Sequence, residues 1–378
     1  MGGAISSLSN VSIANSTFTG CDANTPAANS AGGGSAFGTT SLGGHSGGSG
    51  GLSRGGAIAI ESTVSLTVDS STFASNSARG GLGGPGGRSD GAGGFQGPGG
   101  SGQGGAIANT AGSTLGITHS TFSLNTALGG NAGTSTSGTA TAGAAGAGTG
   151  GGLSLLSTVT VSNNIFAGNT ASNGSGSGSP GTPAPNVLGS VTSQGHNLVG
   201  TLTGASGFTG TGDLTGSNPN LAALTNNGGP TRTMALNAGS PAIDAGTAAG
   251  AVWDQRYFTR KTDQPGTPNT GGSDGTDIGA YERGAASAAD ATVSGSVISA
   301  DGRGITNALV TLTAPDGTGV TVITGRRGSF AFEHVETGRT YIVSVASRRF
   351  AFGPQIIEVT DNLAGLVFIA GGGEAGVR

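Results

Sequence analysis

Charge is scarce in this 378-residue chain: Asp, Glu, Lys and Arg together make 9%, and the net charge is −4. That leaves no basic footprint for nucleic acid or for an anionic membrane surface. Cysteine occurs once, which excludes an intramolecular disulfide framework. No run of about twenty apolar residues is present, so the sequence carries no membrane-spanning helix. What the chain has instead is glycine, 80 residues, which with 13 prolines makes about a quarter of it and puts it close to low complexity. The glycines lack a strict three-residue period along the chain, which argues against a collagen-like triple helix. The length leaves room for two or three domains.

Within the glycine-rich background one phrase recurs four times. Gly-Gly-Ala-Ile at Gly2–Ile5, Gly55–Ile58 and Gly104–Ile107, and Gly-Gly-Leu at Gly151–Leu153, each open a segment that closes on a Phe: Phe18, Phe73, Phe122 and Phe166. Aligned on those rings, Val11, Leu66, Leu115 and Val159 form one column, and Ile13, Val68, Ile117 and Val161 another. Three residues past each Phe come Cys21, Asn76, Asn125 and Asn169. Columns of like residues mark stacked units, and the period-two alternation before each Phe makes the units strands. Stacked at about 4.8 Å, equivalent side chains lie one above another. The predicted fold is all-β, a right-handed parallel β-helix over residues 1–217. Its Phe residues stack, and Asn76, Asn125 and Asn169 form an amide ladder at a corner, which Cys21 leaves at the first rung. The first repeat begins at once after Met1, so the chain is expected to be part of a longer protein.

Glycine-rich insertions separate the rungs: 25–54, 79–103, 128–149 and 172–185. All leave from the same corner, between the Asn column and the next Gly-Gly. Long loops add little closure entropy, and these hold few apolar anchors, so mobile polar loops fanned on one side are the expectation. A fifth, irregular rung is read at Asn186–Val191 and Gln194–Val199.

Beyond it the run Asn227-Gly-Gly-Pro-Thr231, Gly239-Ser-Pro-Ala-Ile-Asp-Ala-Gly246, Asp254-Gln-Arg256 and Asp277-Ile-Gly-Ala-Tyr-Glu282 resembles the choice-of-anchor Q domain, which ends right-handed β-helix proteins on bacterial surfaces. The rungs likewise resemble the repeats of those proteins and of polymorphic outer-membrane proteins. The family usually has Gly after Asp-Gln-Arg, where this chain has Tyr257. The resemblance implies that 218–283 caps the β-helix, with Trp253 packed on that end and the carboxylates and Arg256 paired over the exposed edge. Residues 284–290 read as a linker. From 291 to 370, seven short strands separated by Gly turns predict a β-sandwich. Val293–Val297, Asn307–Val310, Gly328–Phe332 and Gly338–Tyr341 are similar to the carboxypeptidase regulatory-like domain, a transthyretin-like accessory module. Residues 371–378 are a tail.

β-helices host polysaccharide lyases and glycosidases, so the acids and bases of the rungs bear on function. A glycosidase needs two carboxylates within about 5–9.5 Å. Before residue 200 the acids are Asp22, Glu61, Asp69 and Asp90, the bases Arg54, Arg79 and Arg88. No second acid stacks over Asp69, and Glu61 sits in a variable linker, so both read as solvated. His119 reads as an outward surface residue, and His45 and His196 have no partner set that spells zinc. No catalytic or cofactor-binding residue is assigned. The densest acidic region offers one metal candidate: Asp274-Gly-Thr-Asp277 has oxygen donors of the kind calcium takes. Its alternative is a salt-bridged cap, with Arg256 against Asp244 or Asp277.

The expected function is that of a non-catalytic, secreted or cell-surface bacterial protein, in adhesion to a polysaccharide or another cell-surface ligand or as a surface-structural component. The alternative is a carbohydrate-active enzyme, pectate-lyase-like or glycosidase, with its catalytic rungs upstream or unrecognised.

Overall fold

The computed structural model describes residues 3–24, 46–61, 63–86, 95–134, 142–157, 159–178, 180–264, 266–269, 271–284, 290–315, 317–359 and 361–371. His45, Arg88, Asp90, most of the 284–290 linker and most of the 371–378 tail lie outside them. Among the described residues there is no helix, and hence none long and apolar enough to cross a membrane. The chain divides into two compact units, residues 1–224 with 233–283, and residues 284–378 with 225–232.

The first unit is a parallel β-helix. Ile5, Ile58, Ile107 and Leu153 pair in register, as do Val11, Leu66, Leu115 and Val159. Phe18, Phe73, Phe122 and Phe166 do the same in a third parallel sheet. β-branched and aromatic side chains suit this because each half-buried strand face meets a like residue above and below. The Phe rings stack at centroid distances of 4.9, 4.7 and 5.1 Å. Phe208 adds an edge-on fifth ring at 6.0 Å from Phe166. Strand Val187–Ser193 continues the first two sheets as the fifth rung, and Leu198–Val199 the third.

Two columns turn the chain between sheets. Asn15, Ser70, His119, Asn163 and His196 all have φ between 43° and 56°, the left-handed region that Asn, Asp and His enter more readily than most. Just past the Phe residues, Asn76 Nδ2 donates to Asn125 Oδ1 (2.8 Å) and Asn125 Nδ2 to Asn169 Oδ1 (2.9 Å). Each Oδ1 also accepts the backbone N–H of the Asn before it in the stack, at 3.0 Å. At the open end Asn76 Oδ1 takes the N–H of Cys21 (3.1 Å). A second ladder at the other corner runs Ser71, Ser120, Asn164, Asn197 and Asp213, each side-chain oxygen accepting the preceding member's backbone N–H.

The glycine-rich insertions are not mobile loops where they are described. Six extended chains lie side by side: 46–54, 95–103 and 142–149 returning to the rungs, and 80–86, 129–134 and 173–178 leaving them. Chains of like direction bond in parallel, Gly50 N to Pro98 O and Gly99 N to Ala144 O among others, and Gly83 N to Asn131 O in the other layer. The two layers bond antiparallel: Gly81 N to Gly51 O, Gly97 N to Gly84 O, Gly100 N to Gly81 O, Gly133 N to Gly97 O and Gly146 N to Gly130 O, at 2.8–2.9 Å. Donors to a given neighbour recur every third residue, which fits the three residues per turn of a polyproline-II-type helix, a form with no internal hydrogen bonds. Glycine is required by crowding rather than by dihedral angle. A Cβ on Gly50, Gly83, Gly99, Gly100 or Gly130 would overlap a carbonyl oxygen of the adjoining chain, yet none of them has positive φ.

Residues 233–283 do not close the end of the solenoid. They run along its flank over the His119 corner, touching every rung. Gln255 Nε2 donates to Thr17 Oγ1 (2.8 Å) on the first rung, and its Oε1 accepts from Thr72 Oγ1 (2.6 Å) on the second. Ala280 N donates to Thr121 Oγ1 (3.1 Å) on the third and Gly279 N to Asn163 O (3.0 Å) on the fourth. On the fifth, His196 Nδ1 lies 2.7 Å from Ala245 O. The end cap expected over 218–283 does not hold for 233–283, which satisfy polar corner groups along the stack of rungs. Trp253 is correspondingly half-exposed instead of packed.

The second unit is a seven-stranded sandwich. Asp290–Ile298, Ser329–Glu336 and Leu363–Ile369 form one sheet; Leu309–Thr313, Gly319–Ile323, Arg339–Ala346 and Gln355–Val359 form the other. All pairs are antiparallel except Asp290–Ile298 with Leu363–Ile369. Val293, Val297, Val310, Phe330, Phe332, Val343, Val359 and Phe368 fill the core between them.

Candidate functional site

The residues richest in chemistry gather under the flanking strap, and they are sealed. Arg260 is fully buried, donating from Nη1 to Gly279 O (3.0 Å) and from Nη2 to Ser70 Oγ (3.4 Å). Burial pushes its guanidinium down from its ordinary value, while Glu282, Asp254, Asp69 and Asp277 act against that; a guanidinium stays charged regardless. Arg256 pairs with Asp254 (Nη2 to Oδ2, 2.7 Å). It lies between two rings, its Cζ 3.8 Å from the Tyr281 centroid and 4.3 Å from that of Phe258. Asp254 also accepts the backbone N–H groups of Arg256, Phe258 and Glu282. The Asp-Gln-Arg triplet thus divides its work: Asp254 closes a turn, Gln255 reaches two rungs, and Arg256 fills the space between rings. Tyr257 completes that turn at φ 68°, a conformation glycine enters without strain.

Asp274 and Asp277 face different partners. Asp274 accepts the N–H of Ala248 (3.1 Å) and lies 3.6 Å from Lys261 Nζ. Asp277 is buried, Oδ1 accepting Asp244 N (2.8 Å) and Oδ2 accepting Arg283 N (2.6 Å). Among the described residues no three His, Cys, Asp or Glu side chains converge as a metal-binding group. Burial pushes Asp277 up to about 7. Burial, then the charge of Asp277, pushes Glu282 up to about 10.

His119, read from sequence as outward, is 3% exposed: the strap covers it, with Nε2 3.0 Å from Thr247 O and Nδ1 3.4 Å from Asp69 Oδ1. Asp69 is therefore half-buried rather than solvated. Desolvation would raise its carboxyl, but hydrogen bonds from His119 and Thr118 and the His119 charge outweigh it and hold it below the usual range. Glu61 is half-buried and Asp22 exposed. Each buried carboxylate is engaged by a backbone N–H or guanidinium of the strap itself, an arrangement that holds the strap's own turns together.

The open surfaces lie on the glycine bundle. Side chains project from it every third residue: Ser46, Ser49 and Leu52 on one chain, Phe95, Pro98 and Ser101 on the next, Ala144 and Ala147 on the third. Phe95 is 60% exposed and Leu52 40%. The opposite layer shows Leu82, Asn131 and Ser175. Sequence reasoning missed this surface; its signal was short three-residue spacings such as Gly47-Gly-Ser-Gly50 and Gly97-Pro-Gly-Gly100.

Compared with known families, residues 292–363 match the carboxypeptidase regulatory-like domain. No curated protein and no solved structure matches the chain.

Proposed function

We propose that this chain is a secreted or surface-displayed bacterial protein whose β-helix is a stiff, non-catalytic rod, used for adhesion to a glycan or another cell-surface component. The observation that carries the reading is the glycine bundle, an ordered and nearly uncharged ledge fixed along one side of the rungs with Phe95, Leu52 and Pro98 exposed on it. Exposed apolar groups in a rimmed patch mark interaction surfaces. The strap's sealed carboxylates support a holding role over a catalytic one. Two likenesses point the same way: 218–283 to the choice-of-anchor Q domain, and 292–363 to a module common in extracellular proteins. The test is cell fractionation of the native host with a glycan array probed by the full chain. Surface or medium recovery with binding that Phe95→Ser weakens supports the proposal. Recovery only inside the cell defeats it, and turnover of any polysaccharide defeats the non-catalytic part.

A further inference from the structure

The sandwich carries its charge unevenly. Its strands alternate direction, so the connections 299–308, 324–328 and 347–354 share one end, where Ile305 O accepts from Thr324 Oγ1 (2.7 Å) and Gly304 abuts the backbone of Arg327. Those connections hold Arg303, Arg326, Arg327, Arg348 and Arg349, a third of the 15 basic residues in the chain, and one acid, Asp301. All five arginines are exposed. Asp301 lies 3.2 Å from Arg303, whereas Arg326, Arg327, Arg348 and Arg349 have no ion-pair partner among the described residues. The acids Glu336, Glu358 and Asp361 fall toward the other end, where Arg339 is paired with Glu336 at 3.0 Å. Between two of the arginine-bearing connections opens a cleft of about 1090 Å³, lined by Arg303, Arg348 and Arg349 and by the half-buried Ile305 and Phe350.

We propose that this cleft is a binding site for an acidic polysaccharide, a chain of sugars bearing carboxylate or sulfate groups. Guanidinium forks match both anions in bidentate fashion. The cleft lies at the upper end of the size of small-molecule pockets, about 300–1,000 Å³, and is open, which suits a chain passing through it. Ile305 and Phe350 offer apolar surface to the C–H faces of sugar rings. A single ring is not the aromatic platform that single-stranded nucleic acid stacks on. The site belongs to the sandwich alone and stands whether or not the rod is adhesive.

The experiment is calorimetric titration of the full chain with polygalacturonate, with heparin and with neutral dextran, alongside a single-stranded DNA oligonucleotide. Binding to polygalacturonate or heparin, absent with dextran and weakened about tenfold or more in Arg348→Ala/Arg349→Ala, is the expected result, the loss that follows from removing charged hydrogen bonds. Which of the two anionic polymers binds tells carboxylate from sulfate. Arg339→Ala, at the opposite end, retains wild-type affinity, and unchanged thermal unfolding of the double variant shows that the site and not the fold was lost. The proposal is overturned by no binding to either anionic polymer, by equal binding to dextran, by affinity indifferent to Arg348 and Arg349, or by tighter binding of the oligonucleotide.

Discussion

In the rungs, Phe73 and Phe122 stack at 4.7 Å and Asn76 bonds Asn125; in the glycine bundle beside them, Gly83 bonds Asn131 and Gly100 bonds Gly81 through the backbone alone. Both regions pile like on like, yet one is ordered by side chains facing inward and the other by their absence. The rungs bury apolar columns, so their stability follows the hydrophobic effect. The bundle has almost nothing apolar inside, and its order rests on donors and acceptors satisfied between chains. Side chains are indispensable in the columns of the first and intolerable at the packed glycines of the second.

The largest effect should come from cutting the side-chain order of the rungs. Asn125→Leu leaves Asn76 N–H and Phe73 O without these bonds and takes one of its two acceptors from Asn76 Nδ2, which keeps Phe18 O. At about 1–3 kcal/mol for each buried orphan, unfolding by urea should shift by several kcal/mol. The reverse cut comes next. Gly130→Ala drives a Cβ into Gly81 O, backbone that cannot turn aside, and should cost about 1–3 kcal/mol. Gly116→Ala, on a rung strand with nothing within 4 Å, should be neutral or slightly stabilising. Equal effects at the two glycines would erase the distinction between the regions.

The strap adds a pH dependence that neither region has by itself. Asp277, pushed up to about 7 from 3.8, holds its proton more tightly folded than unfolded. Its contribution is complete below the unfolded value and is lost as pH rises through about 7; Glu282 extends the loss in the same direction at higher pH. The thermal midpoint should therefore fall between about pH 5 and about pH 8, and a rise over that interval contradicts the account of the strap. Tyr257→Gly should have the smallest effect. It relieves a left-handed residue, a gain of about 1 kcal/mol, part of which the added backbone freedom of Gly offsets.

The rungs were legible because Phe18 recurs as an identity, and Val11 and Ile13 as like aliphatics, at fixed spacing, and the sandwich because Gly302, Gly328 and Gly338 punctuate its strands. The bundle was not, since glycine spells no pattern beyond its own spacing, and its partners lie either 13 to 19 residues away on the same insertion, as Gly97 to Gly84 and Gly100 to Gly81, or farther off on a neighbouring one. The strap's course was hidden for a related reason. Its residues were readable as a motif, but Gln255 and Ala280 bind Thr17, Thr72 and Thr121, which the sequence marks only as small polar residues beside each Phe. His119 was misplaced by the same omission: its column faces outward from the rungs, and only the strap makes that face an interior.

Amide hydrogen exchange on the full chain tests the central claim most directly, that the glycine segments are hydrogen-bonded chains in register with the rungs. Peptides covering 95–103 and 129–134 should show protection approaching that of the Phe122 and Ile117 strands, with Gly97, Gly99, Gly100, Gly130 and Gly133 slow to exchange. Exchange of those glycine amides at the rate of an unstructured chain, while the rungs stay protected, would contradict it.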